Sequence, residues 1–183
     1  MKPSKKELRR GMREKLSRLS TEVIDSSSLH IRDLLTFEPG THIALFAGTA
    51  GEPSLLELID RSGNNVWHLP KITGPGQMEF LETNSVRNLR PGPYGILEPV
   101  KGEVAEKLDV IICPGLAFTP EGFRLGQGGG FYDRALARYP AARKIGVAFT
   151  CQILPSLPCE EHDIKMDLVI TSSGESSTQT LGS

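Results

Sequence analysis

Apolar residues recur at helical spacing twice at the head of the chain. Leu8, Met12, Leu16 and Leu19 fall on one face of a helix over residues 4–19, and Ile24, Ile31 and Leu34 point inward from a second that runs from a Ser20 cap to about Leu35. The period then shortens. THIALFA (41–47) is a short apolar run rich in strand formers, and Pro53 is well placed as the first helical residue of PSLLELIDRS, which gives strand, loop, helix. NVWHLP and QMEFLE read as a strand pair joined through the Gly/Pro turn around 74–76, and RPGPYGILEP reads as irregular. LDVIICPG (108–115) is the most apolar strand, RKIGVAF and DLVIT are two more, and FYDRALARY is a helix between strands. Near-continuous apolar strands are buried on both faces, as in a parallel sheet with helices on either side. The pattern therefore predicts an α/β protein: a three-layer α/β/α sandwich on a mostly parallel sheet, with a helical N-terminus and a single domain over 1–171. Residues 172–183, SSGESSTQTLGS, are polar enough to predict a disordered tail.

Composition changes this picture little. With 183 residues, 38% hydrophobic and 23% charged residues and a formal net charge of -1, the chain is an ordinary globular domain whose bulk charge names no partner. No apolar run approaches the roughly 18 to 20 residues of a membrane span, and MKPSKKELRR lacks the apolar stretch of a secretory signal, so a cytoplasmic protein without a membrane partner is expected. Cys113, Cys151 and Cys159 are odd in number and widely spaced, which favours reduced thiols over a disulfide framework or a zinc site. Charge is concentrated in one place. Residues 1–20 hold eight Lys or Arg against two acids, with Lys5 and Arg9 on one helix face, either a solvated basic face or an anion site. The absence of interleaved aromatics argues against a nucleic-acid arm.

RLGQGGGFYDRAL (124–136) places four glycines in five positions directly before a helix. A Walker loop is absent. A dinucleotide fingerprint starting at Gly126 and Gly128 fails at Phe131 and has no strand immediately before it. Two readings remain: a tight turn that lets a helix pack closely, or a nest of backbone N–H groups that holds phosphate, with the helix dipole behind it and Arg124 beside it. Asp133, in the first helical turn, is either a carboxylate on the helix dipole or a ligand to Mg2+ between it and the phosphates.

PGLAFTPEGFRLGQGGGFYDRAL resembles the signature of the 5-formyltetrahydrofolate cyclo-ligase family, also called 5,10-methenyltetrahydrofolate synthetases. KKELR, IALFAGTAGE, PYGILEP and EEHDIKMDLVI follow the family in order and spacing, so the resemblance covers most of the chain. It implies a three-layer α/β/α fold that binds ATP, Mg2+ and a reduced folate. ATP contacts would fall at Lys5, Lys6 and Arg9 and along Arg124, Leu125, Gly126, Gln127, Gly128, Gly129, Gly130, Phe131 and Tyr132. Lys5, Arg9 and Arg124 would serve catalysis by neutralising phosphate charge. Substrate contacts would fall at Ala47, Glu52 and Tyr94 and along Gln127 to Phe131, and Asp133 and Asp163 would hold the metal. Local readings stand beside these: Glu52 as the acidic cap of a helix at Pro53, Tyr94 as a packing residue, His162 as a surface residue.

Two departures from the family pattern stand in the loop. Gly129 occupies a position where some relatives have lysine, and Gln127 one where many have an aromatic or basic residue; Phe131 also replaces a usual tyrosine. The expected activity is ATP-dependent closure of 5-formyltetrahydrofolate to 5,10-methenyltetrahydrofolate with release of ADP and phosphate, in a monomer or weak dimer. The alternatives are a folate or nucleotide binder without turnover and a different small-substrate ATP ligase on the same scaffold.

Overall fold

A computed structural model describes residues 3–61, 63–160 and 163–176; His162 and residues 177–183 of the expected tail lie outside them. Helix α1 (Lys5–Leu16) starts at a capping box, in which Ser4 Oγ accepts from the Glu7 N–H and the Glu7 carboxylate from the Ser4 N–H. Ser20 caps α2 (Thr21–Leu34) more simply, its side chain accepting from the Val23 N–H. There follow β1 (His42–Ala44), α3 (Glu57–Arg61), β2 (Val66–Gly74), β3 (Gln77–Thr83), β4 (Leu89–Pro91), β5 (Leu97–Pro99) and β6 (Val110–Cys113). The chain continues through β7 (Ala117–Phe118), β8 (Arg124–Leu125), α4 (Phe131–Arg138), β9 (Arg143–Ala148), β10 (Leu168–Thr171) and β11 (Gly174–Ser176).

One seven-stranded sheet has the order β11-β10-β9-β6-β1-β2-β3. Its five inner strands are parallel, and β3 and β11 pair antiparallel at the edges. The alternation of side chains divides the core. Val110 and Ile112 of β6 pack with Ile31 of α2 and Leu58 of α3 on one face, while Ile111 and Cys113 pack with Ala135 and Leu136 of α4 on the other. This is the expected α/β/α sandwich. From β1 the chain moves to β2 on one side and later returns to β6 on the other, so strand order reverses between β1 and β6. Open α/β sheets bind ligands at the carboxyl ends of such a switch point. A third cluster joins Met12 and Leu16 to Leu116, Ala117, Leu125 and Phe149, which lays α1 across that same edge.

Several expected details differ, each through tertiary contacts. Pro53 does not open a helix. The Ser54 N–H donates to Ser28 Oγ (3.0 Å) and its carbonyl accepts from Arg32 Nη1 (2.8 Å), so α2 takes the backbone groups a helical turn needs and α3 begins only at Glu57. Leu34 is exposed and Leu35 is buried in its place, because the backbone turns extended at the helix end. RPGPYGILEP contains a hairpin, β4 with β5, and the two-residue β8 does precede the glycine loop. Residues 172–176 turn back to add β11 to the sheet, so regular structure extends past the expected domain end. Among the described residues no helix is long and apolar enough to cross a membrane.

His68 of β2 is 3% exposed, and its ring stacks on that of His42 at 5.5 Å between centroids. Burial, reinforced by His42, lowers its pKa from 6.5 to about 4. Below pH 6.5 the unfolded chain therefore takes up a proton that the folded chain refuses. The His68 contribution should be fully present above pH 6.5 and decline by up to about 1.4 kcal/mol per pH unit down to about 4. Urea titrations at pH 7, 5.5 and 4.5 should show this decline, and His68→Gln should flatten it; equal slopes in both proteins would rule it out.

Candidate active site

A cavity of about 850 Å³ opens where the carboxyl ends of β1 and β6 meet α1. Its lining includes every residue expected to contact ATP, substrate or metal except Lys6, which is exposed on α1 beside Lys5. At one end lie Lys5, Arg9, Arg124, the glycine loop and Asp133; at the other lie Pro70, Ile72, Met78, Tyr94 and Ile96. Ala47 and Glu52, from the loop after β1, complete the wall. The cavity is thus charged at one end and apolar at the other.

The glycines have separable causes. Gly128 (φ 107°) and Gly130 (φ 66°) adopt left-handed conformations, and a Cβ on Gly129 would meet the Phe131 ring at 2.8 Å. Gly130 is the N-cap of α4 and supplies no side-chain cap. Among the described residues, none of the N–H groups of Gly126 to Gly130 finds an acceptor. Arginines take the loop's carbonyls. Arg9 Nε donates to the Gly126 carbonyl (3.0 Å), Arg13 Nη2 to that of Gln127 (3.1 Å) and Arg134 Nη2 to that of Gly129 (2.6 Å). With carbonyls engaged and N–H groups open, the loop has the donor pattern of an anion nest at a helix N-terminus.

Two of the expected phosphate cations, Arg124 and Lys5, are paired with carboxylates. Arg124, its side chain 5% exposed, donates through Nη2 to Asp133 Oδ1 (2.6 Å) and through Nη1 to the Pro114 carbonyl (3.3 Å). Among the described residues its Nε is buried without a partner, as is the hydroxyl of Tyr132, whose ring lies under the guanidinium. Burial pushes that phenol well above its ordinary pKa. Lys5 Nζ pairs with Asp163 (2.9 Å) and Glu160 (3.0 Å). Burial works to lower the Lys5 pKa, but hydrogen bonds and charge from the two carboxylates outweigh it and hold it above its usual value. Asp133 is therefore not a bare helix-dipole residue.

Glu52 Oε2 accepts from the Thr49 N–H (2.9 Å) and hydroxyl (2.8 Å), closing a turn rather than capping a helix at Pro53. Tyr94 is the one non-glycine residue among those described with positive φ (61°), and it is 80% exposed. A side chain held in that region costs on the order of 1 kcal/mol or more, and such strain clusters at ligand sites. Sequence reading missed three residues. Arg13 repeats Arg9 one helical turn on, a signal that was available; Arg134 carried none. Glu98, buried yet lining the cavity, lay in a segment read as irregular.

Fold and cavity together describe an α/β enzyme of the nucleotide-using kind. The chain belongs to the 5-formyltetrahydrofolate cyclo-ligase family, whose model matches residues 1–172, and this family consists of ligases that use ATP to convert 5-formyltetrahydrofolate to 5,10-methenyltetrahydrofolate. The 5-formyltetrahydrofolate cyclo-ligase of Escherichia coli (strain K12) is 36% identical over 143 residues, 72% of this chain and 78% of that one. A probable 5-formyltetrahydrofolate cyclo-ligase of Caenorhabditis elegans is 28% identical over 93% of both chains. The NMR structure of Aquifex aeolicus 5,10-methenyltetrahydrofolate synthetase matches with a TM-score of 0.86 at 33% identity, covering 98% of this chain and 95% of that one.

Arg134 ties the loop to the β2–β3 turn, donating through Nε to the Gly76 carbonyl (2.7 Å) as well as to Gly129. Arg134→Ala should raise the KM for ATP about 5- to 20-fold, the weight of one to two charge-assisted bonds at an exposed site, with a smaller effect on the folate KM. Steady-state kinetics with each substrate varied will check this, and equal effects on both would count against a loop-specific tether.

Proposed function

We propose that this chain performs the family reaction with ATP phosphates on the glycine loop and the reduced folate against Glu52, Tyr94 and Phe131, working as a cytoplasmic monomer or weak dimer. The observation that carries this reading is the run of unbonded N–H groups from Gly126 to Gly130, beside the orphaned Nε of the buried Arg124. Both are polar groups that a triphosphate would satisfy.

The chemistry needs little else from the protein. A formamide oxygen is a poor leaving group, so the terminal phosphoryl of ATP is transferred to it, releasing ADP; N10 then attacks the formyl carbon, and the ring closes as the C–O bond breaks and phosphate departs, taking up the N10 proton. Lys5, Arg9 and Arg124 neutralise the charge and the loop fixes the geometry, which is the main work of phosphoryl transfer. No protein nucleophile is required, and Cys113, near the site, is unsuited to be one because burial pushes its thiol up to about 12. Glu52 accepts hydrogen bonds from pterin N–H groups, and Tyr94 and Phe131 stack on flat rings.

Asp133 and Asp163 line the same cavity, and no cluster of three or more His, Cys, Asp or Glu that could hold a metal occurs among the described residues. This donor set fits Mg2+ arriving with the phosphates, which needs only one or two carboxylates, better than a resident metal centre. When bound, the ion would supply Lewis-acid neutralisation of phosphoryl charge. Gly129, where some relatives carry lysine, favours a second reading, a folate or nucleotide binder without turnover.

Absorbance of the methenyl product after adding ATP, Mg2+ and 5-formyltetrahydrofolate should rise with the wild-type protein; binding without product would favour the second reading. Arg124→Ala should cost about 1.5 to 3 kcal/mol in kcat/KM for ATP. Asp133→Asn should raise the Mg2+ concentration needed for turnover, Asp163→Asn should do the same, and the double variant should lose less than the sum, since both would act through one ion. An unchanged Mg2+ dependence with a lowered melting temperature would leave Asp133 only as the anchor of Arg124.

A further inference from the structure

The apolar end of the cavity contains one acidic side chain, Glu98 of β5, from a residue that is 7% exposed. Its Oε1 accepts from the Ile72 N–H (3.3 Å), on a stretch of β2 beyond the last residue that pairs with β1. Its Oε2 has no donor among the described residues. The carboxyl group lies flat against Gly92, where any Cβ would collide with it, so the backbone of the β4–β5 turn is shaped around this group. Around it stand Pro70, Ile72, Met78, Tyr94 and Ile96, a lining with almost no competing polarity.

Glu98 Oε2 is open to the cavity and not sealed inside the protein, so it is a free acceptor for a ligand that brings donors. The bicyclic ring of 5-formyltetrahydrofolate presents N–H donors at the 2-amino group, N3 and N8. Glu52 cannot take them all, because its Oε2 already accepts twice from Thr49. We propose that Glu98 is a second substrate-binding carboxylate, which accepts from the amino-pyrimidinone edge of the pterin inserted between the apolar walls. This rests on the folate reading of the cavity. It assigns Glu52, on the loop after β1, to donors nearer the reacting formyl group, and Glu98 to recognition of the distal edge.

Glu98→Gln separates this role from a structural one, since the amide oxygen still accepts from the Ile72 N–H while an NH2 group replaces the free acceptor. Provided that wild-type protein forms the methenyl product, which tests the parent reading separately, the variant should raise the KM for 5-formyltetrahydrofolate roughly 10- to 100-fold. Its KM for ATP and melting temperature should stay near wild type. The 2-desamino-2-methyl analogue of the substrate should bind wild type at least about tenfold more weakly than the substrate does, and Glu98→Gln should lose most of that discrimination. An unchanged folate KM, or equal discrimination in the two proteins, would overturn the proposal. If Glu98→Gln folds poorly, Glu98→Asp carries the same comparison, since it keeps the charge but retracts it by one methylene.

Discussion

The docking of α1 across the carboxyl edge of the sheet is the contact on which the site depends. Met12 and Leu16 bury against Leu116, Leu125 and Phe149, and full burial of two such side chains contributes about 3 to 6 kcal/mol. Charge-assisted bonds from Lys5, Arg9, Arg13 and Lys15 add to this, at about 1.5 to 3 kcal/mol each where buried and less at the surface, so packing and side-chain bonds position the helix together. Lys5, Arg9 and Arg13 lie on the helix so placed, and they reach Asp163, Gly126 and Gln127 respectively. Without the helix, the loop would lose two of the arginines that engage its carbonyls.

Charge in the cavity is arranged as exchangeable pairs. Arg124 holds Asp133 and Lys5 holds Asp163, so neither cation is left uncompensated beside a low-dielectric wall. A magnesium nucleotide suits such an arrangement on both sides: its phosphates match the cations and its metal the carboxylates. The pairing also accounts for the two pairs being separate. Arg124 keeps one carboxylate close and Lys5 two, and the glycine loop supplies neutral donors.

The opposite end of the cavity uses shape and a few acceptors. Glu52 is fixed by Thr49, Glu98 by Ile72 and by the absence of a side chain at Gly92, and Tyr94 stands in a strained backbone conformation. A flat heterocycle with several N–H donors matches such a slot, because apolar walls strengthen every hydrogen bond made inside them. On the proposed reading, recognition of the folate would fall to residues of the β2, β3 and β5 side of the sheet.

Much of the fold was determined locally and could be read from the chain. Ser4 and Ser20 cap their helices, apolar runs at 108–115 and 143–149 form inner strands, and the Gly/Pro turn at 74–76 closes its hairpin, all through interactions within a few residues. The glycine loop was visible for the same reason, since positive φ and close approach leave glycine as their mark. Tertiary structure decided the rest. Pro53 lost its helix because Ser54 bonds to Ser28 and Arg32 instead, Leu34 gave its buried place to Leu35, and the hairpin of β4 and β5 emerged from a stretch without periodicity. The pairing of Arg124 with Asp133 and of Lys5 with Asp163, and the turning of Glu98 into the cavity, depend on where the switch point of the sheet falls and on how α1 crosses it. A sequence specifies its short-range hydrogen bonds directly, but partners 158 residues apart, such as Lys5 and Asp163, meet only after the core has formed around them.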